Sequence, residues 1–149
     1  MTPKIIMTDR PEAAVRRRLL DGLDGFNAAQ TGRPDDYRPL AILISHSDSQ
    51  EILGGLWGGT YFAHLHVDLL FVPESLRRGG LGRRLMREAE EEAVRRGCRG
   101  AWLDTFSFQA RGFYERLGYA AFGLIEDYPP AHSRIFLKKT FGAPAETRA

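Results

Sequence analysis

"RRGGLGRRLM", Arg77 to Met86, puts four arginines and three glycines into ten residues. Its neighbours give the stretch its meaning. Before it, "HLHVDLLFV" (64–72) is a mostly apolar run that reads as a central strand, and Pro73 ends it. After it the period changes. Leu81, Leu85, Met86, Ala89 and Ala93 share one helical face, charges fill the rest, and Gly97 closes the helix. The glycines therefore stand where a strand passes through a short loop into a helix. Backbone N–H groups at a helix start lack intrahelical partners, and the macrodipole favours anions there. Glycine lets a ligand come close to the backbone. Arg77, Arg78, Arg83 and Arg84 add positive charge around the mouth. Chemically this is a pyrophosphate site.

Two common nucleotide loops fit it poorly. A Walker loop needs Gly-Lys-Ser/Thr, and Arg83 and Arg84 follow Gly82 here. A dinucleotide fingerprint needs a third glycine where Leu85 stands, and it belongs to an early βαβ unit. A nucleic-acid patch is a third reading of the arginines. It would interleave aromatic residues, which the stretch lacks, and "EAEEEA" (88–93) beside it repels a phosphate backbone.

Working outward, "KIIM" (4–7) reads as a first strand. Asp9 is placed to cap a helix with Pro11 in its first turn, and Val15, Leu19 and Leu23 give that helix an apolar stripe. The segment "DGFNAAQTGRPDD" leaves room for a second short helix. "PLAILIS" (39–45) and "ILGGLWGGTYF" (52–62) read as antiparallel strands around the turn "HSDSQE". "GAWLDTF" (100–106) is a strand, "QARGFYERLG" a short helix closed by Gly118, and "YAAFGLIE" and "SRIFLKK" two more strands. The order β, α, α, β, β, β, α, β, α, β, β predicts one mixed α/β domain over residues 1–142, with a flexible tail at 143–149.

The 149 residues suffice for one core, with 43% apolar and 27% charged side chains, an ordinary globular balance. A net charge of +2 is too small to argue for a nucleic-acid partner. Cys98 is the single cysteine, which excludes an intramolecular disulfide and fits burial in a reducing compartment. The N-terminus lacks an apolar signal region and no run is long enough to span a bilayer, so a cytoplasmic protein without membrane contact is expected.

Arg77-x-x-Gly80-x-Gly82 after "LLFVPES" resembles the acetyl-CoA signature Arg/Gln-x-x-Gly-x-Gly/Ala of the GNAT N-acetyltransferase superfamily. "FYERLGY" (113–119) resembles that superfamily's later motif, one helix and one strand further on. "DTFSFQARGFYERLGY" also resembles a bacterial branch of small GNAT proteins. The resemblance covers roughly residues 3–141 and implies the GNAT fold: a mixed, mostly antiparallel central sheet flanked by helices and splayed between the fourth and fifth strands. It implies acetyl-CoA as cosubstrate, lying in the gap between "HLHVDLLFV" and "GAWLDTF". The pyrophosphate would rest on Arg77, Arg78, Gly79, Gly80, Leu81, Gly82 and Arg83. The pantetheine would pair with the backbone of Leu70, Phe71 and Val72, with a backbone N–H near Leu70 polarising the thioester carbonyl. Phe113 and Tyr114 would lie near the thioester. Many members carry an asparagine against the pantetheine arm where Ser107 stands here, so Ser107 or Gln109 is expected to replace it.

The resemblance also assigns roles. Tyr114 would protonate the departing thiolate, which a phenol with an ordinary pKa near 10 can do at neutral pH. "AHLH" with the glycine motif and "FYER" resembles the arylalkylamine N-acetyltransferases, in which a histidine pair on this strand serves as base; this bears on His64 and His66. His64, His66 and Asp68 alternate along one strand face. A histidine pKa near 6.5 suits removing the amine's proton directly or through water, and Asp68 is a second candidate. Two histidines on one face can bind a metal, but no third ligand is apparent, so no metal is expected.

The expected activity is transfer of an acetyl group to a primary amine on a small molecule or peptide. A non-catalytic acyl-CoA-binding or sensing protein on the same fold is the alternative. Reach from the thioester to Tyr114 and to His66 or Asp68 separates the two. The acceptor would be framed by the helices near 11–31, by "LWGGTYF" and by "EDYPPAHS" (126–133). Asp35, Asp36, Glu126 and Asp127 would favour a cation, and a homodimer stays open.

Overall fold

The computed structural model describes residues 1–142; the tail expected at 143–149 lies outside the described residues. The backbone divides into two units, residues 1–36 and residues 37 onward.

In the first unit, α1 runs from Ala13 to Thr31. Two expectations fail here. No strand forms at 4–7: β-branched residues satisfy propensity, but a strand exists only where a ladder accepts it. No separate second helix forms in 24–36. Gly22 and Gly25 weaken α1 without breaking it, because Ala28, Ala29 and Gln30 are good helix formers and no proline intervenes before Pro34. Gly32, at φ 68°, closes the helix with its N–H on the Ala28 carbonyl. The start also differs. Glu12, not Asp9, is the N-cap residue, and Pro11 stands before the helix rather than in its first turn.

The second unit is a six-stranded sheet in the order β1-β2-β3-β4-β6-β5. The strands are β1 (Arg38–Ser45), β2 (Ile52–Tyr61), β3 (His64–Phe71), β4 (Gly100–Phe106), β5 (Ala120–Glu126) and β6 (Ser133–Thr140). Every neighbouring pair is antiparallel except β3 with β4. Helix α2 (Leu81–Arg95) makes that parallel crossover, and α3 (Arg111–Arg116) joins β4 to β5. The expected α/β class and mostly antiparallel sheet are therefore present, with one strand fewer at the start.

Leu85, Met86, Ala89 and Ala93 form the buried stripe of α2 and pack with Leu65 and Val67 of β3, Leu103 of β4, and Ile135 and Leu137 of β6. Cys98 is buried in the same core. Two polar clamps hold the helix to the sheet. Arg96, just past its end, bonds Glu92 Oε2 at 2.8 Å, Thr60 Oγ1 and the Arg38 carbonyl at 3.2 Å, and the Pro39 carbonyl at 3.2 Å. Glu90 accepts from Tyr119 Oη at 2.8 Å and from Lys139 Nζ at 2.7 Å.

The register of β3 creates the site. Trp57 of β2 faces Leu69, but the next residue, Gly58, faces Val67, so Asp68 is a bulge. Gly58 permits the close approach: a Cβ there would strike the His66 carbonyl. A bulge bends its strand and sharpens the twist. On its other edge β3 pairs with β4 only from His64↔Gly100 to Val67↔Leu103, although both strands continue. Beyond the bulge the two strands part, and the edges of Asp68–Phe71 and Asp104–Phe106 face each other without a ladder. This is the expected splay, between the third and fourth strands as they form here.

Candidate active site

A cleft of about 960 Å³ fills the gap between the parted strands. Its far end is the loop into α2. Arg77 donates Nε–H to the Val72 carbonyl at 2.8 Å and so ties the loop to the end of β3. Arg78 and Gly80 both hold left-handed backbone, at φ 70° and 82°, so the chain turns sharply twice before the helix. A Cβ on Gly80 would meet nothing within 4 Å, and one on Gly82 would press the Phe113 ring at 3.2 Å. Gly80 caps α2 without a side-chain bond, and the first amides of the helix have no intrahelical acceptor. Arg77, Arg78, Gly80, Leu81, Gly82 and Arg83 line the cleft; Gly79 does not.

Leu70, Phe71 and Val72 form one wall, with backbone groups that β4 leaves unpaired. Backbone groups along one strand edge that β4 leaves unpaired, the Val72 carbonyl held by Arg77 apart, lead to a glycine turn with bare helix N–H groups and suit an amide-bearing chain ending in phosphates. The cleft residues thus fit acetyl-CoA in their chemistry.

Opposite stand Gln109, Phe113 and Tyr114. Gln109 Oε1 accepts from the Phe106 N–H at 2.8 Å and from Thr105 Oγ1 at 3.1 Å, so its NH₂ end is the part it can offer a ligand. Ser107 does not line the cleft. Its hydroxyl accepts the Ser133 N–H at 3.0 Å and its own N–H bonds the Ser133 carbonyl at 2.8 Å, fastening β4 to β6. Tyr114 is buried yet reaches the cleft wall. Burial, with the Asp104 carboxylate beside it, pushes its phenol up to about 12.

The three residues alternating on β3 separate in role. Asp68 lines the cleft; His64 and His66 do not. His64 is exposed, with Nδ1 3.0 Å from the Phe62 carbonyl. His66 lies flat on Trp102, ring centroids 3.8 Å apart and 13° from parallel, with Nδ1 3.2 Å from Asp68 Oδ1. Its Nε2 is buried and meets no hydrogen-bonding group among the described residues. A proton on Nε2 would have no acceptor, so the neutral ring carries its proton on Nδ1 and donates it to Asp68. Burial outweighs the nearby Asp68 and Asp104 carboxylates and holds the His66 pKa below its ordinary value. Among the described residues no group of three or more His, Cys, Asp or Glu is placed to hold a metal.

Two important groups escaped the sequence reading. Asp104 lines the cleft and is paired with Arg134 Nε at 2.7 Å. Phe108, in the turn after β4, lines it too. Asp104 was within reach, since it alternates with Trp102 and Phe106 on one face of β4. Arg134 lies on β6 and carries no local signal.

A family model described as "Acetyltransferase (GNAT) family" matches residues 12–119. The chain is 38% identical over 136 residues to Acetyltransferase Atu2258 of Agrobacterium fabrum, covering 91% of this chain and 98% of that protein. It is 42% identical over 105 residues to the blasticidin-S acetyltransferase of Streptomyces morookaense, covering 68% of this chain and 77% of that one. A crystal structure assigned as an acetyltransferase from Agrobacterium tumefaciens superposes with a TM-score of 0.86 at 37% identity, over 93% of this chain and all (100%) of the other. With the split sheet and the glycine loop that its signature requires, the chain belongs to the GNAT family of acyl-transferring enzymes.

Proposed function

We propose that the protein is an acetyl-CoA-dependent N-acetyltransferase that acetylates a primary amine by direct attack in a ternary complex. One observation carries this: a single cleft joins a bare helix N-terminus, an unpaired strand edge, a carboxylate and a protonated phenol. Because Asp68 and Tyr114 both face that cleft, a merely acyl-CoA-sensing protein is the poorer reading.

Acetyl-CoA supplies the acetyl group; the amine nitrogen gains a bond to its carbonyl carbon as the carbon–sulfur bond breaks. The amides of Leu81 to Arg83 and the surrounding arginines bind the phosphates. The backbone edge of Leu70 to Val72 aligns the pantetheine, and an N–H near Leu70 polarises the thioester carbonyl. Asp68, steadied by His66 Nδ1–H, accepts the proton that the ammonium must lose before attack. Tyr114 gives its phenolic proton to the departing sulfur. As the amide forms the nitrogen sheds a second proton, which balances the one Tyr114 gives to sulfur and restores the phenol by way of solvent, so that one proton is released overall, through solvent at Asp68. His66 positions rather than titrates, because its second nitrogen is sealed in. That one relative is named for blasticidin-S favours a small-molecule acceptor over a peptide.

The test pairs binding with transfer. Acetyl-CoA at 100 times its Kd adds about 2.7 kcal/mol, a melting rise of roughly 5–10 °C for a chain this size. Neither NAD nor ATP should do the same. Free thiol should then appear only when an acceptable amine is added. An equal shift with NAD, or thiol release indifferent to amine, overturns the reading.

A further inference from the structure

Gly80 and Gly82 answer different needs. Gly80 holds left-handed backbone, and a Cβ on it would meet nothing within 4 Å. Gly82 is the second residue of α2 and keeps backbone outside the left-handed region. Its backbone therefore does not demand glycine, and glycine weakens a helix relative to alanine. What the position lacks is space. A Cβ there would come 3.2 Å from Phe113 Cζ, 3.5 Å from Phe113 Cε1 and 4.0 Å from Val72 Cγ2. The first of these lies inside the roughly 3.5–4.0 Å optimum for carbon pairs. The bare side of Gly82 is turned to a ring of α3.

That ring adjoins the phenol. Phe113 and Tyr114 meet edge-on, ring centroids 5.1 Å apart and planes at 73°. Tyr119 meets Tyr114 in the same manner at 6.2 Å, and its hydroxyl donates to Glu90 Oε2 at 2.8 Å. Tyr114 thus has two aromatic neighbours, and both rest on α2, Phe113 at Gly82 and Tyr119 at Glu90. Helix α3 has six residues, and its N-cap residue Ala110 makes no side-chain bond. A helix this short does not hold itself together in water, so packing decides where it lies. A push on Phe113 is therefore passed to Tyr114.

From these contacts we propose that Gly82 is a positioning residue for the transfer: its missing side chain lets Phe113 settle on α2, and Phe113 sets where the Tyr114 hydroxyl stands against the departing sulfur. The inference rests on the reading of Tyr114 as the proton donor to sulfur. It divides the work of the loop, with Gly80 serving the cosubstrate and Gly82 the acid. The helix that begins at the phosphate seat then also carries both supports of Tyr114.

The test uses Gly82→Ala alone and combined with Phe113→Leu or with Tyr114→Phe. Transfer is read as enzyme-dependent hydroxamate formation from saturating acetyl-CoA and hydroxylamine, a small nucleophile largely unprotonated at neutral pH. A misplacement of about 1 Å can cost about 10²-fold, so the smaller shift forced by one methyl group should cost Gly82→Ala about ten-fold in rate. Acetyl-CoA affinity, measured by calorimetry, should change far less, since the Gly82 N–H remains. The same substitution should cost nothing further in Phe113→Leu, where the shorter side chain leaves room, or in Tyr114→Phe, where there is no acid to misplace. Melting supplies a measurement that needs no acceptor. In Phe113→Leu the added methyl should raise the melting temperature by about 2–4 °C, the gain of alanine over glycine in a helix, and in the wild-type background it should not. An undiminished rate in Gly82→Ala, an equal loss in either background, affinity falling as far as rate, or a melting rise in the wild-type background overturns the positioning role. A wild-type rate in Tyr114→Phe instead overturns the acid reading, and a wild-type protein that binds acetyl-CoA and forms no hydroxamate overturns acetyltransfer itself.

Discussion

Gly80 is the sharpest place to test the cofactor end of the cleft, because two different demands meet on it. Its φ of 82° and ψ of 8° are left-handed. An L-residue held there costs about 1–2 kcal/mol. An added Cβ would meet nothing within 4 Å, so Gly80→Ala carries that backbone strain without any clash. At roughly 2–4 °C per kcal/mol for a chain of this size, the melting temperature should fall by about 2–8 °C. Asparagine tolerates left-handed backbone much better, so Gly80→Asn should melt closer to wild type. Affinity should behave differently. Gly80 lines the cleft at the helix start, so any side chain there intrudes on phosphates seated against the amides. Both variants should bind acetyl-CoA about ten-fold or more weakly, a change near 1.4 kcal/mol. Melting curves of the free proteins and acetyl-CoA titrations by calorimetry separate the two effects. Wild-type melting in Gly80→Ala would show that the positive φ is not needed. Undiminished acetyl-CoA affinity in both variants would refute the seat itself and leave the glycines as a turn before a helix.

Asp68→Asn should lower kcat about 10²–10⁴-fold, the usual loss of a positioned acid or base, with acetyl-CoA affinity unchanged by titration; His66→Asn, which keeps a donor for Asp68, should lose far less than His66→Phe, and equal losses would remove the positioning role. Tyr114→Phe should likewise lower kcat about 10²–10⁴-fold with little change in acetyl-CoA affinity, and wild-type kcat should show no loss from Tyr114 up to about pH 10, since its phenol sits near 12; a wild-type kcat in the variant leaves Tyr114 a packing residue. Tyr119→Phe removes the hydroxyl bound to Glu90 and should destabilise by about 2 kcal/mol, seen as a melting drop of roughly 4–8 °C. Both tyrosines titrate higher folded than unfolded, so their stabilisation is complete below about pH 10 and is lost as pH rises through the folded values; alkaline melting curves of the two Phe variants should be correspondingly flatter.

What the sequence made legible is what local pattern encodes. Leu85, Met86, Ala89 and Ala93 announce the buried stripe of α2 because burial on one side of a helix forces that spacing. Gly80 and Gly82 announce the loop because few other residues serve there. The strand expected at 4–7 misled for the converse reason: Ile5 and Ile6 have the right propensity, and propensity does not supply a partner. In the site, alternation correctly put His66 and Asp68 on one face but could not say which one meets the cleft. That depends on one unpaired residue in the β2–β3 ladder, and Gly58 is its faint trace in the sequence. Asp104 and Arg134 were missed because their pairing joins β4 to β6 across 30 residues of chain.

In the proposed reaction, the bulge at Asp68 also accounts for the different surroundings of Asp68 and Tyr114. Past it, β3 leaves β4, and the gap opens to both faces of the sheet. Tyr114 approaches from the side of the core, among Tyr119 and the buried stripe of α2, where charge is disfavoured; its phenol is thereby kept as a donor. Asp68 approaches from the opposite face, half exposed, where an ammonium can arrive from water and its proton can leave. Exchanging these environments would fail twice. A phenol in water would hold its proton less firmly toward alkaline pH, and a carboxylate in the core would lose much of its charge. His66 sharpens the arrangement. With Nε2 sealed against Trp102, the ring cannot relay a proton outward, so it can only donate to Asp68 and fix its orientation. In the proposed reaction the parted strands thus separate the two proton transfers: the amine's proton leaves by the open face, and sulfur takes one from the closed face.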